Sequence, residues 1–269
     1  ACGGVGFVAW NCTAARAGRL VGEHDNVTVA ATPAQAAAAT GVAISMVPDV
    51  PEVEQVLLGR DGAGEGLGDG DLAIDMSTIA PSASRSIAKR LGERGIALLD
   101  APVTGSRPKA QDGTLTIMAG GSDEAFERAR PLFEAIGELV LHVGPQGHGS
   151  MVKLINNTLA AVNAAALAEG LVLAQAAGVD AGKALEVIAA GSGESAMRRL
   201  KAEPMVSGDY EPLFKLAHML KDVRHCLAEA RALGVELPLA ETAEPLYAAA
   251  QEQGLGGQDF AAVIEALRP

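Results

Sequence analysis

Aromatic residues are scarce. One Trp, two Tyr and five Phe make up 3% of 269 residues, so the core has to be built from aliphatic side chains. Positive charge is also in deficit: 33 acidic residues face 21 basic ones, and a net charge of -12 argues against a surface made for a nucleic-acid backbone or an anionic membrane. Cysteine occurs three times, at Cys2, Cys12 and Cys226. An odd, scattered set without a Cys-x-x-Cys spacing gives no disulfide framework and suits free thiols in a reducing compartment. There is no uninterrupted apolar run of about 18 residues and no basic-then-apolar leader, so neither a membrane span nor a secretory signal is visible, and a cytoplasmic location is expected. The five histidines, His24, His142, His148, His218 and His225, make no ligand-spaced pair with cysteine or carboxylate, so no metal site is expected.

With 49% apolar and 20% charged residues, the chain reads as globular and long enough for two domains. Short apolar runs at 5–10, 42–47, 72–76, 97–100, 115–119 and 138–143 read as buried strands. Segments with helical spacing lie between several of them, at 14–21, 33–39, 81–94 and 122–136, with caps at Thr32, Ser77 and Ser122. Alternating strands and helices predict an α/β layered, largely parallel sheet. After Gly144 the pattern becomes all-helical. One Ala/Leu-rich helix is expected from Ser150 to a glycine cap at Gly178, buried on most sides because few charges interrupt it. Further helices are expected at 180–190, briefly after Ser192, and at 213–233, 238–253 and 259–267. The Gly-rich stretch 144–149 marks the seam, giving a domain at 1–143 and an all-helical one at 144–269.

Ligands of such sheets bind beyond the carboxyl ends of the strands. Small hydroxyl residues, Gly and Pro follow four strands here: Asn11-Cys12-Thr13, Val47-Pro48, Ser77-Thr78 and Pro102-Val103-Thr104-Gly105-Ser106. Each alone reads as an ordinary turn or cap. Lys153 and Asn157 are four apart on the long helix and so share a face. A lone lysine near a helix end ordinarily snorkels to water, but one on an apolar helix beside a Gly-rich hinge can be desolvated into a proton donor. Lys221-Asp222 places a second charge on an apolar helix, with a surface ion pair as its plain reading.

At these residues the chain resembles the β-hydroxyacid dehydrogenase family. The resemblance spans nearly the whole length and rests on Asp75-Met76-Ser77-Thr78-Ile79, Asp100 to Ser106, Gly113-Thr114-Leu115-Thr116, Lys153 to Asn157, and Lys221-Asp222, in the family's order. It implies a Rossmann-type doubly wound sheet, an NAD(P) cofactor and a small carboxylic acid substrate, a hydroxy acid or semialdehyde. It further implies Lys153 as general acid/base, Thr104, Gly105, Ser106 and Asn157 as substrate-binding, and Val47, Pro48, Glu52, Thr78 and Lys221 as cofactor-lining. Thr104 stands where Ser is usual and Ser106 where Gly is common. Ser106-Arg107-Pro108-Lys109 is closer to the semialdehyde and glyoxylate reductase branch.

One unit that the resemblance implies is missing: the opening strand, G-x-G-x-x-G turn and helix that receive the pyrophosphate. Aligning Asn11-Cys12-Thr13 with the end of the family's second strand sets that gap at about 20–25 residues upstream. We expect the protein to carry the segment, because a doubly wound sheet without this strand would expose two hydrogen-bonding edges. Asn11, Cys12 and Thr13 would then lie at the adenosine ribose. They keep two of the three residues that the family associates with NADP, and Arg16 could replace the missing cation, which favours NADP. Two other readings stand beside this one: imine reduction on the same scaffold, against which Lys153 argues, and a non-catalytic oligomerisation or binding module. The apolar helical half also predicts a homodimer or homotetramer.

Overall fold

The computed structural model describes residues 6–268, so Cys2 and Val5 lie outside the described residues. The chain divides into two compact units, Ala1–Lys153 and Leu154–Pro269. The first six residues of the long helix therefore group with the strands.

The first unit follows the order β1 (Phe7–Ala9), α1 (Ala14–Glu23), β2 (Val27–Val29), α2 (Pro33–Ala38), β3 (Val42–Ser45), α3 (Val50–Leu58), α4 (Ala63–Gly66), β4 (Leu72–Asp75), α5 (Pro81–Gly92), β5 (Ala97–Asp100), β6 (Val103–Thr104), α6 (Ser106–Asp112), β7 (Leu115–Gly120), α7 (Asp123–Glu134) and β8 (Gly137–Gly144). Strands β1 and β2 form a separate parallel pair, and the other six form one sheet in which β3, β4 and β5 run parallel. No strand pairs with the second edge of β3 among the described residues.

The sheet is mixed rather than largely parallel: β7 runs antiparallel to β5 and β6 and parallel to β8. Pro102 explains why β5 and β6 are two strands, since it has no N–H for the ladder and only its carbonyl takes part, accepting from Met118 N at 3.1 Å. Alternate side chains of β4 and β5 go to opposite faces. Leu72, Ile74 and Leu99 pack with Phe126, Ala129 and Phe133 of α7, while Ala73 and Leu98 pack with Val53, Leu57, Ile87 and Leu91 of α3 and α5. Both faces are thus covered, as continuous apolar strands require. Thr32 and Ser122 cap α2 and α7 as expected. Ser77 does not cap α5, whose N-cap is Ala80; its hydroxyl accepts from Val47 N at 2.9 Å instead.

Helix α8 (His148–Ala176) begins where two backbones meet closely. A Cβ on Gly149 would run into the carbonyl oxygens of Met118 and Asp100, and one on Gly120 would come within 2.7 Å of Asp100 Oδ1 and 2.8 Å of Gly149 N. Glycine is needed here for approach, not for turning. The helix ends near Gly178, whose φ of 71° supplies the expected left-handed stop.

The second unit continues α8 and adds α9 (Ala181–Ala190), α10 (Ala196–Ser207), α11 (Leu216–Ala232) and α12 (Pro238–Glu252). Helix α10 is longer than the brief helix expected, and the last segment, Phe260–Ala266, is a 3-10 helix rather than an α-helix. Its core joins Ala161, Ala164 and Ala168 of α8 to Met205, Leu216, Val223 and Tyr247, with Tyr247 donating to Ala161 O at 2.9 Å. Lys201 Nζ lies 2.7 and 2.9 Å from the oxygens of Asp259, both residues being buried, and Asp259 also accepts from the N–H groups of Leu213, Phe214 and Ala261.

One expectation for α8 is corrected. It is not buried on most sides, for Ile155, Leu159 and Leu173 are 48%, 60% and 70% exposed. By length and composition α8 is the one helix among the described residues that could cross a membrane, a property that the core helix of a soluble protein shares.

Two variants test this packing. Gly149→Ala should cost about 3 kcal/mol, the upper range for overpacking, because the obstructing atoms are backbone. Lys201→Met should cost about 3–5 kcal/mol, since it leaves Asp259 buried without its cation. Chemical denaturation midpoints at constant slope check both, and a loss under 1 kcal/mol would refute either reading.

Candidate active site

The carboxyl ends of β3, β4 and β5 come into line, because the parallel register sets Ser45 beside Asp75 and Asp75 beside Asp100. All three residues are buried. Ser45 Oγ donates to Asp75 Oδ1 at 2.8 Å, and the same oxygen accepts from Ser77 N at 3.2 Å. Together with the bond from Val47 N to Ser77 Oγ, these contacts tie the β3 and β4 end loops into one ledge. Pro48 is exposed on this ledge, Val47 and Thr78 are half-buried, and Glu52 is exposed in the first turn of α3.

Asp100 fixes the next edge. Its Oδ1 accepts from Gly147 N at 2.7 Å and its Oδ2 from Ser150 N at 2.6 Å, so a strand-end carboxylate receives the N–H groups at the start of α8. Burial pushes its carboxyl up from 3.8 to about 6, against those hydrogen bonds, which favour the charged form. A proton affinity raised by folding contributes stability that is full below the unfolded value and lost as pH rises through about 6. At neutral pH the buried charge is therefore held at a cost. Lys153 follows Ser150 by one turn and is only 8% exposed.

In the second unit, Asn157 Nδ2 donates to Asp222 Oδ2 at 2.7 Å, and Lys221 Nζ lies 3.1 Å from Asp222 Oδ1. Asn156 Nδ2 donates to Asn157 Oδ1 at 3.1 Å. The amide of Asn157 is thus oriented on both sides, by Asp222 at Nδ2 and by Asn156 at Oδ1. Asp222, fully buried, has a larger part than the surface ion pair expected from the sequence: it joins Asn157 to Lys221.

The segment expected to bind substrate carries backbone strain. Gly105 has φ 130° and Ser106, a non-glycine residue, φ 55°. The left-handed value explains why a glycine suits position 106, and strain of this kind collects at functional loops. Thr104 is half-buried and pairs with Thr116 on β7. After β1, Asn11 Oδ1 accepts from Thr13 N at 2.8 Å and shapes the turn into α1, with Cys12 and Arg16 exposed beside it. Small residues and backbone at three successive strand ends, with a Thr hydroxyl, fit one side of a dinucleotide.

The chain matches the model for the NAD binding domain of 6-phosphogluconate dehydrogenase over residues 2–144, and the model described as NAD-binding of NADP-dependent 3-hydroxyisobutyrate dehydrogenase over residues 147–267. It is 35% identical to 2-hydroxy-3-oxopropionate reductase of Escherichia coli, covering 88% of this chain and 81% of that one. It is 32% identical to glyoxylate/succinic semialdehyde reductase 2 of Arabidopsis thaliana, covering 98% of this chain and 74% of that one. Among solved structures, 3-hydroxyisobutyrate dehydrogenase from Salmonella typhimurium superposes with a TM-score of 0.86 at 32% identity, over 96% of this chain and 90% of that one. An imine reductase from Pseudomonas sp. is more distant, with a TM-score of 0.60 at 20% identity, and shares the fold alone. The chain belongs to the β-hydroxyacid dehydrogenase family, the NAD(P)-dependent oxidoreductases of small hydroxy acids and semialdehydes.

Proposed function

We propose that this enzyme interconverts a short hydroxy acid and its oxo acid or semialdehyde, with Lys153 as the proton-transfer residue. The observation that carries the proposal is Lys153 itself: a buried lysine one turn past an anchored helix start and four residues before an oriented amide. When bound, the nicotinamide supplies or accepts the hydride. The protein's part is the proton. In reduction, the ammonium of Lys153 gives a proton to the carbonyl oxygen as the alcohol forms; in oxidation, the neutral amine takes it back. Asn157 offers its remaining N–H to a substrate oxygen, while Thr104, Gly105 and Ser106 hold the carboxylate with a hydroxyl and backbone N–H groups.

The cofactor would lie along Val47, Pro48, Glu52 and Thr78, with Asn11, Cys12 and Thr13 at the ribose and Lys221 as a further cofactor contact. Arg16 favours NADP over NAD. Residues 1–143 would form the dinucleotide-binding domain and 144–269 the helical substrate and oligomerisation domain, a division supported by the two family models meeting between residues 144 and 147. Apolar side chains as exposed as Leu173, Val187 and Leu239, at 70%, 73% and 71%, favour a homodimer or homotetramer. The proposed setting is a water-soluble, cytoplasmic protein, in which α8 is a helix shared by two globular units. The family's branch, with 2-hydroxy-3-oxopropionate and glyoxylate/succinic semialdehyde reductases among the relatives, favours small semialdehydes as substrates.

Lys153→Ala should lower kcat on the order of 10²- to 10⁴-fold and leave NADPH affinity, read by nicotinamide fluorescence, close to that of the parent. Steady-state assays with a panel of short hydroxy acids and semialdehydes check this. Near-normal turnover in the variant would refute the assignment.

A further inference from the structure

We propose that Asp100 is a positioning residue for Lys153: by receiving the N–H groups of Gly147 and Ser150 it fixes the first turn of α8, and with it the place of the lysine one turn on. The inference rests on the reading of Lys153 as proton-transfer residue.

Three observations carry it. Both carboxylate oxygens are engaged, one with Gly147 N and the other with Ser150 N. Such a two-point contact fixes the direction of a helix start as well as its distance, which a single cap does not. The contact also has no slack. Gly149 lies against the carbonyl oxygens of Met118 and Asp100, and Gly120 against Asp100 Oδ1, so the helix start cannot drift toward the sheet. Finally, Asp100 is itself fixed, ending a strand whose register with β4 sets it beside Asp75. Asp100 and Ser150 thus form a short path from the centre of the sheet to the backbone of Lys153. A proton donor displaced by about 1 Å can lose on the order of 10²-fold in rate, so an anchor of this kind acts on turnover rather than on cofactor binding.

The test uses the full-length protein with Asp100→Asn, which keeps the shape and one acceptor, and Asp100→Ala, which keeps neither. Competitive acetylation by acetic anhydride, read by peptide mass spectrometry, compares Lys153 with the exposed Lys89. Amide hydrogen exchange follows residues 147–154 against α5 and α7. We expect Lys153 acetylation relative to Lys89 to rise at least threefold in Asp100→Asn, and faster exchange confined to 147–154. We also expect kcat to fall at least tenfold with NADPH affinity within twofold of the parent. Larger changes are expected in Asp100→Ala, and should that variant fail to fold, Asp100→Asn alone decides. Unchanged acetylation and exchange would overturn the proposal whatever the activity, as would loosening spread evenly over the unit. Should Lys153→Ala itself keep its turnover, the functional reading fails while the labelling result still decides the role of Asp100.

Discussion

The carboxylate of Asp100, holding the start of α8 against the end of β5, is the contact on which the arrangement of the first unit depends. A helix N-terminus carries N–H groups that want an acceptor, and a strand end offers a place to put one. Meeting both needs in one residue lets a helix leave the sheet at a defined point. The close approach then dictates glycine at 120 and 149. The mixed topology follows the same logic, because β7 must reach the end of β5 for Gly120 to face Asp100.

The helical unit is organised by the same device. Asp259 gathers three backbone N–H groups and Lys201, while Asp222 takes the amide of Asn157 and the ammonium of Lys221. Most of the chain's acidic excess is solvated and contributes little to stability, since exposed ion pairs are worth at most about 1 kcal/mol. The few carboxylates taken inside act differently. Asp100, Asp222 and Asp259 each accept from donors that would be left unsatisfied without them, so each specifies where two distant segments meet.

Periodicity and strand-end chemistry made much of this legible in the sequence. Continuous apolar runs marked β3, β4, β5, β7 and β8, and the glycine stop of α8 was correctly placed at Gly178. Strands β2 and β6 have only three and two residues, too short for any period to show. The exposure of α8 was hidden because an apolar helix covered by the fold and one left open to a partner have the same composition. Ser77 looked like a cap because a hydroxyl before a helix usually is one; here the ledge between β3 and β4 takes it. Asn157 and Asp222 are 65 residues apart, and Lys201 and Asp259 are 58 apart. No local pattern reports pairings of that span. For Asp222 the only signal was a charge set in an apolar helix, and for Asp100 its place at the end of a strand.

Position 106 shows how backbone geometry limits what evolution or engineering can do with a binding loop. With φ at 55°, the residue there sits where glycine is at ease, asparagine and serine are tolerated, and β-branched side chains are excluded by their own bulk. The usable alphabet at 106 is therefore short. Any retuning of substrate preference through this loop has to draw on those few letters, or else move the burden to Thr104, where the extended backbone leaves the choice open.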